Sequence, residues 1–165
     1  MLNQTCHQLG TAPSLIRELF AYGLQQAAIV GPENVYDYSL GNPSIPAPAA
    51  VNQAVGDILS DTDSIKVLGY SMAAGFDSTR TAIAENLNRR FGTDYKASNL
   101  FLTCGAAPAL LSVIRALTVN NDSEIMAIAP FFPEYRPFVE FNGSKFVIIP
   151  ADQEKFQIDF AAMEQ

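Results

Sequence analysis

From residue 99 onward, short apolar segments alternate with segments of helical periodicity, and this alternation constrains the fold more than any other feature. Strands are predicted over residues 99–104, 124–129 and 145–150, because their centres are near-continuous apolar runs of the kind found in strands covered on both faces. Helices are predicted between them, over 107–119 and 133–141. Strands joined by helices form parallel βαβ units with right-handed crossovers. The sequence therefore predicts an α/β fold with three layers, α/β/α, around a mainly parallel sheet.

The first half of the chain is predicted to be mostly helical. Apolar residues at helical spacing indicate helices over 13–30 and 49–59, and a third begins at Asp77 or Ser78 and ends at Gly92. A short strand is predicted over 35–40. The segment that follows, 41–48, contains three prolines and is the best candidate for a hinge between sub-domains.

Composition narrows the class of protein. Hydrophobic residues make up 48% of the 165 residues and charged residues only 16%, which is typical of a globular chain with much apolar surface to bury. The net charge is −7 and no basic run is present, so no nucleic-acid partner is expected. Neither a secretory signal nor an apolar run of about 18 residues is found, so we expect no membrane partner and a cytoplasmic location.

Cysteine and histidine give little indication of a reactive site. Cys6 and Cys104 are far apart and lack metal-ligand spacing, so neither a metal site nor a disulfide framework is predicted. Cys6 and His7 could act as ligands or as a nucleophile and its base, but a frayed, solvated N-terminus is the favoured interpretation.

The junction Leu102-Thr103-Cys104-Gly105-Ala106-Ala107-Pro108 is the most informative segment for chemistry. A predicted strand ends in a turn of small residues, and a helix begins with a proline near its first position. Small residues let a ligand approach the backbone, and the free amides of a helix start bind phosphate. Tight packing of a strand against a helix would use the same residues. The turn matches neither the Gly-x-Gly-x-x-Gly nor the Gly-Lys-Ser/Thr phosphate motif.

Two further segments carry aromatic residues beside predicted turns. Tyr70 precedes the glycine turn at Gly75, where its ring could pack on the helix start or its hydroxyl could reach a ligand. Phe131 and Phe132 follow a predicted strand, at the carboxyl edge of the sheet where open α/β sheets bind ligands. A ring at this edge either stacks on a flat cofactor or covers the core.

In order and spacing, these segments resemble the fold-type I pyridoxal-phosphate enzymes, and most closely the class I/II aminotransferases of the aspartate aminotransferase type. The resemblance extends from about residue 40 to 143. It depends on four patterns that occur in the family's order: Gly41-Asn42-Pro43; Tyr70, Gly75 and Arg80 at intervals of five; Thr103-Cys104-Gly105-Ala106 followed by Ala109-Leu110; and Pro130-Phe131-Phe132.

The resemblance implies pyridoxal 5'-phosphate as cofactor, and it implies roles for individual residues. Gly105, Ala106 and Ala107 would bind the cofactor phosphate through backbone amides, and Phe132 would stack on the pyridine ring. Tyr70 would reach a phosphate across a homodimer interface. Gly41 would lie beside the substrate carboxylate. Residues 1–45 would belong to a small domain and 46–165 to the first half of the large, cofactor-binding domain.

The resemblance also implies residues that this sequence lacks. The family uses a Schiff-base lysine, an aspartate facing the pyridine nitrogen and an arginine for the substrate carboxylate, all in later segments. The four lysines present, Lys66, Lys96, Lys145 and Lys155, lie outside the family's lysine segment. We therefore expect the N-terminal portion of an aminotransferase, acting on an amino acid and a 2-oxo acid, that is inactive by itself. The alternatives are a non-catalytic short product, which binds a phosphorylated ligand or a full-length relative, and a parent with β-lyase or decarboxylase activity.

Overall fold

The computed structural model describes residues 1–61, 63–152, 154–155 and 157–164. The chain is divided into two compact units, Met1–Val67 and Leu68–Gln165. The α-helices, in chain order, are α1 (Gln4–Thr11), α2 (Leu15–Val30), α3 (Ala49–Asp61), α4 (Ser64–Leu68), α5 (Asp77–Phe91), α6 (Ala106–Leu117), α7 (Tyr135–Glu140) and α8 (Phe160–Met163). The strands are β1 (Glu124–Ile128) and β2 (Lys145–Ile149). No helix among the described residues is long and apolar enough to cross a membrane.

In the first unit, α2 and α3 begin and end close to their predicted positions. Gly31 ends α2 in a positive-φ conformation (φ 90°), as the Gly31-Pro32 pair predicts. The chain start was expected to be frayed, but it forms α1, in which the Asn3 side chain accepts a hydrogen bond from the Cys6 N–H. This helix is exposed along its length.

The strand predicted over residues 35–40 is not formed, so that prediction was wrong. The segment contains no ladder of backbone hydrogen bonds to another described segment. A strand exists only when a second segment pairs with it, and the local pattern cannot supply that partner.

The second unit contains the sheet. β1 and β2 pair in parallel, with Glu124 opposite Lys145 and Ile128 opposite Ile149. The helix α7 connects the two strands and packs against β2, and α6 packs against α7. Two of the most buried apolar residues in this unit are Val139 on α7 (1% exposed) and Ile149 on β2 (4% exposed). This arrangement is the βαβ unit that the alternation of apolar and helical segments predicts.

The strand predicted over residues 99–104 is not formed either. A short 3-10 helix covers Ala97–Asn99, and the following residues run without ladder pairing to Gly105. The sheet within the described residues therefore has two strands, and Met126 and Ile128 remain exposed (50% and 38%). Coverage of both strand faces was expected, and the described residues provide it only in part. The prediction of an incomplete α/β fold with a parallel sheet is confirmed.

Candidate functional site

The turn that precedes α6 has a backbone conformation that favours glycine. Gly105 is the N-cap of α6, at φ 95° and ψ 179°, in a region that side chains rarely adopt. Two hydrogen bonds hold it: the Gly105 N–H donates to the Thr103 carbonyl (2.9 Å), and Thr103 Oγ1 donates to the Gly105 carbonyl (2.7 Å). No hydrogen-bonding role was predicted for Thr103, although a hydroxyl two residues before a turn glycine is a signal for such a bond.

The free amides of α6 lie immediately after this turn. The first N–H groups of a helix have no partner within the helix, and no side chain caps α6 among the described residues. Ala106 and Ala107 therefore supply two donors, whereas Pro108 has no N–H and the Gly105 N–H is used by Thr103. No atom lies within 4 Å of a Cβ placed at Gly105, so the space beside the turn is open. Two amides at a helix start beside open space fit a phosphate group.

Tyr70 is fully exposed (105%) and belongs to the same unit as the turn. Its segment is connected to the chain that leads into the turn, because the Leu102 N–H donates to the Ala74 carbonyl (3.1 Å). The ring does not pack on the start of α5, which was the alternative interpretation of this tyrosine. Its hydroxyl is free to meet a group from outside the unit.

Phe131 and Phe132 are adjacent in sequence but differ in environment. Phe131 is partly buried and packs edge-on against Phe146, with ring centroids 5.0 Å apart. Phe132 is half exposed (52%) and contacts Tyr135 edge-on at 5.8 Å. Both line a cavity of about 580 Å³, which Leu110 of α6 also lines. Phe132 and the second turn of α6 therefore face the same space.

Gly41 lies in the first unit, in a segment without regular structure. No atom lies within 4 Å of a Cβ placed there, so local packing does not require a glycine. Its place beside the substrate carboxylate stays a prediction.

None of the three lysines of the second unit, Lys96, Lys145 and Lys155, lines the cavity beside Phe132. Lys145 begins β2, at the amino edge of the sheet, and its Nζ lies 3.2 Å from Asp122 Oδ1. Phe132 follows the carboxyl end of β1. In a parallel pair, the carboxyl end of one strand lies opposite to the amino end of its neighbour along the strand direction. Lys145 is therefore directed to a surface ion pair and away from the cavity.

Among the described residues, no group of three or more histidine, cysteine, aspartate or glutamate side chains is arranged to hold a metal ion. Cys6 and Cys104 are exposed free thiols.

Comparison with known proteins identifies the family. The family model described as aminotransferase class I and II matches residues 33–165. A probable aspartate aminotransferase of Methanocaldococcus jannaschii is 26% identical over 165 residues, which is 100% of this chain and 40% of that protein. A valine–pyruvate aminotransferase of Mycobacterium tuberculosis is 28% identical over 158 residues, which is 95% of this chain and 39% of that protein.

Solved structures give the same result. The crystal structure of an aminotransferase from Eubacterium rectale superposes with a TM-score of 0.92 at 52% identity, covering 99% of this chain and 41% of that one. Aspartate aminotransferase from Thermus thermophilus, solved with maleate, has a TM-score of 0.77 at 22% identity, which shows the fold alone; it covers 99% of this chain and 41% of that one. The chain belongs to the class I and II aminotransferase family. It spans about two fifths of the length of these relatives.

Proposed function

We propose that the protein containing these residues is a pyridoxal-phosphate-dependent aminotransferase, which moves an amino group from an amino acid to a 2-oxo acid. The observation that supports this most directly is the turn at Gly105. It combines a glycine-only conformation, two unused amides and open space at the start of α6, in a chain whose residues 33–165 match the family. Bound cofactor supplies the electron sink for the carbanion formed at the substrate α-carbon.

In this proposal each site residue has a binding or orienting role. Ala106 and Ala107 donate their N–H groups to the cofactor phosphate, and Gly105 leaves room for it. Phe132 lies against one face of the ring and excludes water from that face. Tyr70, which is fully exposed, donates its hydroxyl to a phosphate in a partner subunit, so the active form is a homodimer. Gly41 leaves space for the substrate carboxylate. The division into a small domain (1–45) and a large domain (46–165) and the cytoplasmic location are part of the same proposal.

Backbone amides alone do not hold the cofactor. A helix start contributes about 0.3–1 kcal/mol to anion binding, and up to ~2 kcal/mol when partly buried, whereas micromolar affinity requires about 8 kcal/mol. The rest of the binding free energy would come from a lysine side chain and from contacts to the ring. The lysines of the second unit, Lys96, Lys145 and Lys155, do not line the cavity beside Phe132, and all four lysines of this sequence lie outside the lysine segment of the family. We therefore propose that residues 1–165 by themselves do not catalyse transfer.

The proposal is tested on the protein as its gene encodes it. The purified protein is incubated with pyridoxal phosphate and assayed for amino transfer with a panel of amino acids and 2-oxo acids. It is then reduced with borohydride, digested and mapped for the labelled lysine. We expect transfer by the encoded protein and label on a lysine other than Lys66, Lys96, Lys145 and Lys155. The 165-residue chain, treated in parallel, is expected to show neither stoichiometric label nor transfer.

Other outcomes separate the alternatives. Stoichiometric label on one of these four lysines, with transfer by residues 1–165, would show that the site is complete within this sequence. Cofactor binding with elimination or decarboxylation, and without transfer, would assign the protein to a sister activity of the same fold. Absence of cofactor binding in the encoded protein would overturn the proposal.

A further inference from the structure

Arg80 connects α5 to the segment that leads into the phosphate turn. One guanidinium N–H (Nη1) donates to the Ala97 carbonyl at 2.8 Å, across 17 residues of sequence. The other terminal nitrogen, Nη2, lies 3.1 Å from Asp77 Oδ1. The Arg80 side chain is only 14% exposed, whereas that of Asp77 is 80% exposed. A hydrogen bond from a charged donor that is largely withdrawn from water is the stronger of the two contacts.

The Ala97 carbonyl lies at the start of a short backbone segment that leads to the turn and is held by hydrogen bonds. The 3-10 helix Ala97–Asn99 begins there, and the Asn99 side chain accepts from the Lys96 N–H at 2.9 Å. Three residues later the Leu102 N–H donates to the Ala74 carbonyl at 3.1 Å. Residues 97–102 are thus held at both ends by residues 74–80, and Thr103 and Gly105 follow at once.

We propose that Arg80 is a positioning residue for the cofactor phosphate, and this inference rests on the function proposed above. It touches neither Gly105 nor the free amides of Ala106 and Ala107. It fixes the backbone at Ala97, which together with the Leu102–Ala74 bond sets where the turn and those amides lie. These two bonds join the segment of Tyr70 to the segment of the turn. Arg80 therefore also fixes the position of these two segments relative to each other within one subunit.

The test measures the equilibrium binding of two ligands to the encoded protein. The ligands are pyridoxal phosphate and pyridoxal, and pyridoxal lacks the phosphate group. Arg80→Met removes the guanidinium and keeps much of the aliphatic packing. We expect it to weaken pyridoxal phosphate binding about tenfold, a ratio that corresponds to ~1.4 kcal/mol, and to leave pyridoxal binding unchanged. Arg80→Lys, which keeps a cationic donor, is expected to recover part of the loss. Amide hydrogen exchange at residues 100–107 should accelerate in Arg80→Met.

Two control variants separate positioning from general stability. Asp77→Asn removes the negative charge of the exposed partner of Arg80 and keeps the bond to Ala97, so phosphate affinity should be retained. Ala84→Gly weakens α5 one turn further along, at a buried position (3% exposed), without touching Arg80. We expect it to lower the melting temperature and to preserve the preference for pyridoxal phosphate over pyridoxal.

The outcomes for Arg80 and for the proposed function are distinguishable. If the wild-type protein shows no preference for pyridoxal phosphate over pyridoxal, the proposed function fails and the role of Arg80 fails with it. If the wild type shows the preference and Arg80→Met retains it, only the positioning role is overturned. An equal loss of the preference in Ala84→Gly would likewise overturn it, since the effect would then follow helix stability.

Discussion

Gly75 and Leu102 are in direct contact: a Cβ added to Gly75 would lie 2.7 Å from Cδ1 and 3.0 Å from Cβ of Leu102. Gly75 also has φ +94°, a conformation that L side chains rarely adopt. The Leu102 N–H donates to the carbonyl of Ala74, the residue before Gly75, at 3.1 Å. Steric fit and backbone conformation therefore both require glycine at position 75. The hydrogen bond joins the Tyr70 segment to the segment leading to the turn at the same point.

Gly75→Ala is expected to destabilise the protein by at least about 2 kcal/mol, because strained φ and overpacking each cost about 1–3 kcal/mol. Urea unfolding of the variant, of Leu102→Ala and of the double variant checks this. The double variant should lose less stability than the two single losses combined, since the smaller side chain at 102 relieves the steric part. Losses that add to within about 0.5 kcal/mol would contradict direct contact.

Gly105→Ala tests the conformation of the turn without a steric clash, because the space beside Gly105 is open. We expect a loss of about 1–3 kcal/mol in unfolding free energy and weaker binding of pyridoxal phosphate, since relaxation of the turn would redirect the Ala106 N–H. Gly56→Ala is the matched control. Gly56 also has open space and lies within α3, so this substitution should stabilise by about 0.5–1 kcal/mol. Equal effects at the two positions would contradict the proposed strain.

Phe131→Ala and Phe132→Ala should separate packing from ligand binding. Phe131 packs on Phe146, so its loss should cost about 2–3 kcal/mol of stability, less than the 3–5 kcal/mol typical of a fully buried ring. Phe132 is half exposed, so its loss should cost under about 1 kcal/mol of stability but should weaken cofactor binding about three- to tenfold, as expected for a lost aromatic stack. Thermal unfolding and cofactor titration of both variants check this. Greater destabilisation by Phe132→Ala would assign the ring to the core instead.

The pKa of the Asp37 carboxyl should lie below its ordinary value. The Ser39 side chain and the Ser39 backbone N–H, which donates to Asp37 Oδ1 at 2.8 Å, lower the pKa of this carboxyl below its ordinary value of 3.8. Because the folded-state pKa lies below the unfolded one, the stabilisation is present in full above pH 3.8 and is lost as the pH falls through the lowered value. Carboxyl titration by NMR should give a midpoint below 3.8, which Ser39→Ala raises. A wild-type midpoint at or above 3.8 would contradict this account.

Much of the local structure could be predicted from the sequence, because it depends on periodicity and on the residues at element ends. The spacing of apolar residues predicts α2, α3 and α6, and Gly92 ends α5 in the left-handed conformation (φ 67°) as expected. Asp159, a residue type that commonly caps helices, is the N-cap of α8 and accepts a hydrogen bond from the Ala162 N–H at 3.0 Å. The turn before α6 was also located correctly, since Gly105 and Pro108 are local signals for a helix start.

The sequence by itself determined several of the helices, among them α2, α3 and α6, and where a phosphate-binding turn could form. Only the tertiary structure decided which apolar segments became strands: residues 124–128 and 145–149 pair with each other, whereas 35–40 and 99–104 form no strand ladder with a described segment. It also decided that Arg80 reaches Ala97 and that Lys145 turns to Asp122. The physical reason is the range of the interaction. A helix satisfies its hydrogen bonds within four residues, whereas a strand or a long polar side chain requires a partner that only the folded chain brings near.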